Sequence, residues 1–346
     1  SVEPYGGGVW RGWLDRPLSV AGRVMIRQGD RLVSRLVNID RDLLVIPGVA
    51  IHMDRSVNKG AELNPAVDLL PLLGCGKEPG AFRKLIAEAA GVREEHLLST
   101  ELFLYPRTKA VQTGLNGEFI VSPRLDDLQC VFGCLEGRLL KEIIAQEGME
   151  GFLAAKPGGS LPVLAVFNNE EVGSSTRQGA DSTFLTDVLE RIAHGCGLDS
   201  EGWKAAVANS FMVSADNAHA IHPAHPEYAD QGEFPVLGGG VVIKYNANQR
   251  YTTDAVSGAV FQAICQEAGV PVQRYSNRAD LPGGSTLGNI STAHLSVPTV
   301  DIGLPQLAMH SVCETAGAAD TEHLVKAMTA YFSRDFHRDR DGGIVF

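Results

Sequence analysis

The regular alternation of apolar runs and helix-like segments after Glu118 constrains the fold of this chain more than any other feature. Four short runs are almost entirely apolar, as expected of strands buried on both faces: Pro162–Phe167, Phe211–Ala215, Gly240–Lys244 and Val297–Ile302. Segments of helical character alternate with them: Asp127–Glu147, Gln178–His194 and Asp254–Ala268. This order predicts an α/β domain in which helices flank a mixed, mostly parallel sheet.

The first third of the chain has a different texture. From about Trp10 to Thr113, short β-like runs such as Leu32–Val37 and Leu43–Ile46 are separated by Gly, Pro and Asp. One helical stretch, near Gly80–Ala90, interrupts them. This texture predicts a small β-rich domain ahead of the α/β domain.

Composition narrows the range of functions. The formal net charge of −11 argues against a nucleic-acid binder or a protein attracted to anionic membranes. No apolar run approaches the ~18–20 residues of a transmembrane helix. The six cysteines form no CxxC pair, which is typical of reduced core residues in an intracellular protein, and we expect a cytoplasmic location. A metal would therefore be bound by His and carboxylate side chains.

Acidic or His-bearing segments stand at or shortly after four points where apolar runs end. They contain Asp126, the pair Glu170-Glu171, Asp216 and His310. In α/β sheets, functional residues gather at the carboxyl ends of strands. A two-metal hydrolase needs this inventory, since one carboxylate bridges the ions, other carboxylates and imidazoles complete the shells, and a further carboxylate takes a proton from water. A Glu-Glu pair can divide those last two tasks.

Each segment also has a simpler interpretation. Asp126 and Asp127 could cap the helix that follows them, and most Glu-Glu pairs are solvated surface residues. His310 alone could be a buried histidine of the core. The coincidence of four such segments at strand ends favours a metal site over these separate explanations.

These residues lie within motifs that resemble the aspartyl aminopeptidases, zinc exopeptidases that remove acidic residues from peptide N-termini. The resemblance extends over nearly the whole chain and is carried by several motifs in one order: Val2–Gly8 with Trp10, Leu18–Arg23, Ala50–His52, Pro123–Asp126, Asn169–Ser174, Ser214–Asp216 with Ala218–Ala220, His222-Pro223, Val242–Lys244 with Asn246, Gln249–Tyr251 and Pro305–Ser311.

The resemblance implies a role for each candidate residue. Asp126 would bridge two zinc ions, Glu171 and His310 would complete the shell of one ion, and Asp216 would bind the other. Glu170 would be the catalytic base. Three further residues would contact the substrate: His219, Lys244 and Tyr251. Lys244 is also a plausible cation for an acidic side chain on chemical grounds, although a strand-end lysine is more often a surface residue.

The resemblance also implies domains and an assembly. Residues 1–9 would begin the catalytic domain, residues 10–114 would form an inserted β-rich dimerisation domain, and residues 115–346 would form the α/β metallopeptidase domain. Dimers would build a homo-oligomer, a dodecamer, in which His52 reaches a neighbouring subunit's active site. His52-Met53-Asp54 has the His-x-Asp form of a zinc ligand with its orienting carboxylate, but the surrounding pattern places it in the dimerisation domain.

The family's own His-x-Asp ligand lies upstream of the Val-Glu-x-Tyr-Gly-Gly-Gly motif with which this sequence opens. We therefore expect one zinc ligand and part of the catalytic domain to be missing here. Two alternatives stay open. The chain could be an assembly module without catalysis, which a genuine start at Ser1 would favour, or an aminopeptidase that prefers neutral N-terminal residues.

Overall fold

The structure is a computed structural model that describes residues 1–76, 78–145, 160–281, 283–341 and 343–346, with side chains left undescribed at 139–145. It divides into two compact units, Ser1–Lys109 and Ala110–Phe346. No helix in the described part of the chain combines the length and apolar character that a membrane crossing requires.

The first unit is rich in β-structure, as its sequence texture predicts. Its strands are β1 (Pro17–Gln28), β2 (Arg31–Asn38), β3 (Leu44–Val45) and β4 (Leu97–Pro106), and its helices are α1 (Pro65–Asp68) and α2 (Ala81–Ala89). Strand β1 is central, because it pairs antiparallel with each of the other three strands. Its buried side chains, Leu18, Val24 and Ile26 among them, form a core with Leu97 and Ile86.

The second unit alternates helices and strands. Its strands are β5 (Val111–Thr113), β6 (Phe119–Ser122), β7 (Met212–Ala215), β8 (Ala218–His219), β9 (Val241–Tyr245), β10 (Val272–Ser276), β11 (Thr299–Gly303), β12 (Pro305–Leu307), β13 (Glu314–Gly317), β14 (His337–Arg338) and β15 (Ile344–Val345). Its helices are α3 (Leu125–Ala145), α4 (Phe184–Gly195), α5 (Ser200–Ala208), α6 (Ala255–Glu267), α7 (Leu287–His294) and α8 (Ala318–Phe332).

Two sheets organise this unit. One has the order β10-β9-β11-β7, in which β10 is parallel to β9, β11 is parallel to β7, and β11 is antiparallel to β9. The other has the order β5-β6-β13-β12-β8 and is antiparallel except for the pair β12 and β8. The architecture is therefore mixed α/β, as predicted.

Helix α3 packs closely against α8. Gly133 and Gly137 lie one turn apart on α3, and a Cβ atom at either position would come within 2.6 Å of the side chain of Leu324 or Met328 on α8. Two glycines at this spacing let the helix backbones approach more closely than larger residues would allow. Helix α3 begins at the residues that carry the candidate metal ligand Asp126, so this packing fixes the helix that follows the site.

The structure corrects two secondary-structure predictions. The run Pro162–Phe167 belongs to no strand, and its residues are exposed or half-buried, so the apolar composition does not correspond to a fully buried central strand here. The helix predicted from Gln178 begins only at Phe184, because Thr176 and Asp181 both donate backbone hydrogen bonds to the Ser174 carbonyl and hold that stretch in turns. The predicted end of α3 at Glu147 lies outside the described residues.

Candidate metal centre

The candidate ligands come from the ends of separate elements of the second unit. Asp126 follows β6, Asp216 follows β7 directly, and His310 lies three residues beyond β12. Glu170 and Glu171 occupy a single 3-10 turn, Glu170–Val172. Asp126 and His310 are far apart in the sequence but reach one region because the strands before them, β6 and β12, belong to the same five-stranded sheet.

The backbone bends sharply at these positions. Arg124, Asn169, Ala308 and His310 all have left-handed backbone conformations, with φ between 58° and 64°. Residues with a Cβ atom adopt this conformation at a cost of about 1 kcal/mol or more, and such residues concentrate at functional sites. The Asp126–Asp127 peptide bond is cis. The turns carry the ligand side chains away from the strands and toward a common centre.

Asp126, Glu171 and His310 form the first cluster. His310 Nε2 lies 3.2 Å from Asp126 Oδ2 and 3.3 Å from Glu171 Oε2. One ligand atom from each of the three residues lies within 4.8 Å of the others. Two oxygens and one imidazole nitrogen are a donor set that suits Zn²⁺, and three protein ligands leave a position open for water or substrate.

Asp126 also belongs to a second cluster, with Asp127 and Asp216. One carboxylate oxygen from each of these three residues lies within 4.8 Å of the others. Burial and the charge of Asp216 raise the pKa of the Asp127 carboxyl well above its usual value. Burial also raises the pKa of Asp216 well above its usual value, although the nearby Lys244 acts against this shift. Crowded carboxylates of this kind are stabilised by a bound cation.

Unpaired oxygens support the fit of a cation to these residues. Asp126 Oδ1 and Asp127 Oδ1 are both buried and have no hydrogen-bond partner among the described residues. Burial acts to raise the pKa of Asp126, but hydrogen bonds with His310 and Asp216 outweigh it, so the pKa lies below its usual value. A buried, ionised carboxylate with a free oxygen is a suitable metal ligand, since leaving that oxygen unpaired is costly.

Glu170 differs from its neighbour Glu171. Its carboxylate takes part in no hydrogen bond or ion pair with the residues that the structure describes. Burial raises its pKa, and the negative charges of Glu171 and Asp126 raise it further. A half-buried carboxylate with a raised pKa can accept and return a proton near neutral pH.

Lys244 is the buried cation of the centre. Its side chain is 2% exposed, and its Nζ donates a hydrogen bond of 2.9 Å to the Asn217 carbonyl and lies 3.8 Å from Asp216 Oδ2. Burial acts to lower the pKa of Lys244, but the charges of Asp216 and Asp301 reverse the effect and raise it. The structure therefore places Lys244 against a predicted metal ligand instead of on the surface.

The predicted substrate contacts surround the same centre. Tyr251 is buried with its ring 5.4 Å from Lys244 Nζ, and His219 lies edge-on to Tyr275 at 6.1 Å between ring centroids. His219 and Ala308 also line a cavity of about 300 Å³ whose walls include aromatic and aliphatic side chains. Because Ala308 is two residues from His310, this cavity adjoins the ligands.

His52 lies in the first unit. It belongs to a stretch of turns at 51–60, and its side chain is exposed. Its predicted role in the active site of a neighbouring subunit stays a prediction, as do the domain boundaries at 9 and 114 and the roles of the other site residues.

Sequence reasoning missed two residues of the centre. Asp127 appeared only as a possible helix cap, whereas its carboxylate joins Asp126 and Asp216. Glu314 lies outside all the candidate motifs, yet its buried carboxylate accepts backbone hydrogen bonds from both Asp126 and His310. The adjacency of Asp127 to Asp126 was a usable signal, but no pattern in the sequence marks Glu314.

Carboxylates and an imidazole gathered at one place in a mixed α/β unit are the side chains that a metal-dependent hydrolase would use to hold its metal. Comparisons with known proteins specify the class further. Residues 1–332 match the family profile described as Aminopeptidase I zinc metalloprotease (M18). A probable M18 family aminopeptidase 2 of Clostridium acetobutylicum is 43% identical over 339 residues, covering 96% of this chain and 75% of that protein. The chain belongs to the M18 family of zinc metallo-aminopeptidases.

Solved structures agree with this assignment. Ape4 in a complex with Nbr1 superimposes with a TM-score of 0.86 at 35% identity, over 95% of this chain and 65% of that chain. The S. cerevisiae mApe1 dodecamer superimposes with a TM-score of 0.75 at 25% identity, over 96% of this chain and 72% of that chain. The present chain thus spans about two thirds to three quarters of the length of these relatives.

Proposed function

We propose that this chain carries the active centre of an aminopeptidase that removes acidic N-terminal residues from peptides with the help of two zinc ions. The observation that supports this most directly is that Asp126 belongs to both ligand clusters, one with Glu171 and His310 and one with Asp216. A carboxylate has two oxygens and can bridge two ions about 3.5–4 Å apart. Asp126 would hold both ions, and the other ligands would complete one shell each.

The chain's own residues divide the remaining work. Bound zinc would supply Lewis acidity and lower the pKa of water at the centre. Glu170 would accept a proton from the attacking water and return it to the leaving amine, since its carboxylate is free of partners in the described part of the chain. Its raised pKa suits both steps.

The acidic preference is supported by Lys244 and by the resemblance to aspartyl aminopeptidases. Lys244 is a cation within a centre that is otherwise anionic, beside Tyr251 and near His219. It would favour a substrate carboxylate electrostatically, and water exclusion at this buried position would strengthen the interaction. We further propose that the protein assembles into a dodecamer, by analogy with the dodecameric mApe1. The resemblance to aspartyl aminopeptidases suggests that this assembly forms through dimers and that His52 contributes to a neighbouring centre.

One substitution tests the assignment of the base. Glu170→Gln keeps the size of the side chain but cannot accept the proton, so we expect peptide cleavage to fall by at least 10²-fold while the zinc content stays unchanged. Glu201→Gln, at an exposed glutamate of α5, is the matched control and should leave both quantities unchanged. Cleavage that survives in Glu170→Gln with zinc still bound would show that the base is another group.

Peptides that differ only in their N-terminal residue test the specificity. We expect higher kcat/KM for Asp- and Glu-capped peptides than for a Leu-capped one. A preference for Leu would refute the acidic assignment while leaving the aminopeptidase activity intact. A protein that binds zinc but cleaves none of the three would favour the assembly module.

A further inference from the structure

Glu314 lies at the start of β13 and is almost completely buried, with 2% of its surface exposed. Its two carboxylate oxygens accept hydrogen bonds from two different backbone N–H groups. Oε2 accepts from the Asp126 N–H at 3.0 Å, and Oε1 accepts from the His310 N–H at 2.7 Å. Both donors belong to candidate metal ligands. Asp126 is common to the two ligand clusters, and His310 supplies the imidazole of the first cluster.

This arrangement joins two distant parts of the chain at the ligands themselves. Asp126 and Glu314 are 188 positions apart in sequence. Strand β13 pairs with β6, and Glu314 lies opposite Ser122, so the carboxylate stands beside the end of the strand that leads to Asp126. His310 lies four residues before Glu314, in a left-handed backbone conformation with φ 64°. A charged acceptor on its N–H holds that unfavourable conformation in place.

We propose that Glu314 is a positioning residue of the metal centre, which fixes the backbones of Asp126 and His310 so that their side chains meet at one ion. The inference rests on the proposed function in one respect only, namely that Asp126 and His310 bind a metal ion. Both hydrogen bonds of the Glu314 carboxylate go to backbone N–H groups and not to the ligand side chains, so Glu314 would act through the peptide backbone. Its loss should therefore weaken metal binding without removing a ligand.

Asp320 provides a matched control within the same unit. It is also a buried carboxylate that accepts two backbone hydrogen bonds, from the N–H groups of Gly238 and Gly240 at 2.8 and 2.9 Å. Neither glycine is a candidate ligand. A variant at Asp320 therefore reports the effect of disturbing a buried, doubly bonded carboxylate away from the metal ligands.

The experiment compares Glu314→Gln with Asp320→Asn in the otherwise unchanged protein. In each variant one acceptor oxygen becomes an NH₂ group, so one of the two backbone N–H groups loses its acceptor. We expect Glu314→Gln to weaken zinc binding by about 10–100-fold, measured by competition with a chelator. The visible spectrum of the cobalt-loaded protein should change, and at saturating zinc kcat should fall with little change in KM. Asp320→Asn should lower the melting temperature but keep the zinc affinity and the cobalt spectrum of the unchanged protein.

Two results would overturn the proposal. One is a Glu314→Gln protein whose zinc affinity lies within twofold of the unchanged protein with the same cobalt spectrum. The other is an Asp320→Asn protein that loses zinc affinity as strongly as Glu314→Gln does. If Glu314→Gln does not fold, Glu314→Asp keeps the charge on a shorter side chain that cannot reach both donors, and unaltered zinc affinity in that variant would likewise refute the role. Zinc affinity and the cobalt spectrum remain readable even if the protein cleaves no peptide, so failure of the proposed activity is distinguishable.

Discussion

Gly303 offers a sharp test of how the sheet positions Asp216. It is the last residue of β11, and a Cβ atom there would lie 2.1 Å from the Asp216 carbonyl oxygen. The next nearest atoms, at 3.0 and 3.1 Å, belong to the backbone of Asn217 and Ala218. Since every obstacle is a backbone atom, no side-chain rotation can relieve the overlap. Gly303→Ala must push the two chain segments apart by about 1 Å to restore ordinary contact distances.

The loss of stability in Gly303→Ala can be worked out from the hydrogen bonds that the separation of the two segments would lengthen. Backbone hydrogen bonds from Asp216 to Ile302, at 3.1 Å, and from Ala218 to Leu304, at 2.8 Å, lie on either side of the contact and would both lengthen. Overpacking costs about 1–3 kcal/mol, and the upper part of that range applies because backbone must move. We expect a loss of about 2–3 kcal/mol, which corresponds to a decrease in melting temperature of roughly 4–12 °C for a unit of this size. Asp216 would also move relative to Asp126, and zinc affinity should fall.

Scanning calorimetry with and without zinc, together with chelator competition, measures both effects. Gly195→Ala is the matched control, because Gly195 ends α4 and a Cβ atom there meets nothing within 4 Å. Alanine is the better helix former, so this control should be neutral or slightly stabilising. A shift of about 1 °C in melting temperature corresponds to about a quarter of a kcal/mol for a unit of this size. If Gly303→Ala melts within about 1 °C of the unchanged protein and binds zinc equally well, then the close approach does not hold Asp216 in place.

Two further predictions follow from buried groups. Lys244→Met should lower the free energy of unfolding of the zinc-free protein by about 3 kcal/mol, because Asp216 would lose its buried cation. Urea denaturation measures this change. An unchanged denaturation curve would show that the pair of Lys244 and Asp216 does not stabilise the fold. Iodoacetamide at pH 8 should alkylate the exposed Cys75 but not Cys134 or Cys265 in the native protein, since burial raises the pKa of each of the latter two thiols to about 12 and leaves almost no thiolate. Mass spectrometry reads the labelled positions, and rapid labelling of Cys134 in the folded protein would contradict the prediction.

The alternating pattern predicted the mixed α/β unit well because its central strands are short, mainly apolar runs that alternate with helices. The strands β7, β9 and β11 and the helix α6 fall within two residues of the predicted ranges. Asp254 shows why the start of α6 was readable, since its side chain accepts the Ser257 N–H in a capping box. The run Pro162–Phe167 shows the limit of the approach, because composition alone cannot say whether a neighbouring strand is present to pair with an apolar segment.

The candidate site, like the fold, was predictable from the sequence only in part. The candidate ligands Asp126, Glu171 and His310 were predictable as a group because each lies shortly after an apolar run, and the structure brings their side chains together. Glu314 was not, because a glutamate on a short strand resembles a solvated residue until its burial and its two backbone donors are known. Roles that act through the backbone leave no spacing in the sequence, since the donor can be any residue type.

The adjacent residues Glu170 and Glu171 show how local geometry separates two roles within one pair. They lie in a 3-10 turn, where successive side chains point about 120° apart. Glu171 lies 3.3 Å from His310 in the first cluster. The Glu170 carboxylate lies near enough to the centre for the charges of Asp126 and His310 to act on it, but it has no hydrogen-bond or ion-pair partner among the described residues. Burial raises the pKa of both carboxyls. For Glu171, the main opposing influence is the charge of His310. For Glu170, the negative charges of Glu171 and Asp126 raise the pKa further, and the charge of His310 opposes them less strongly. A helix or a strand would have separated the two side chains by other angles, so the turn that follows the left-handed Asn169 suits the two different roles proposed for this pair, one as a metal ligand and one as the base.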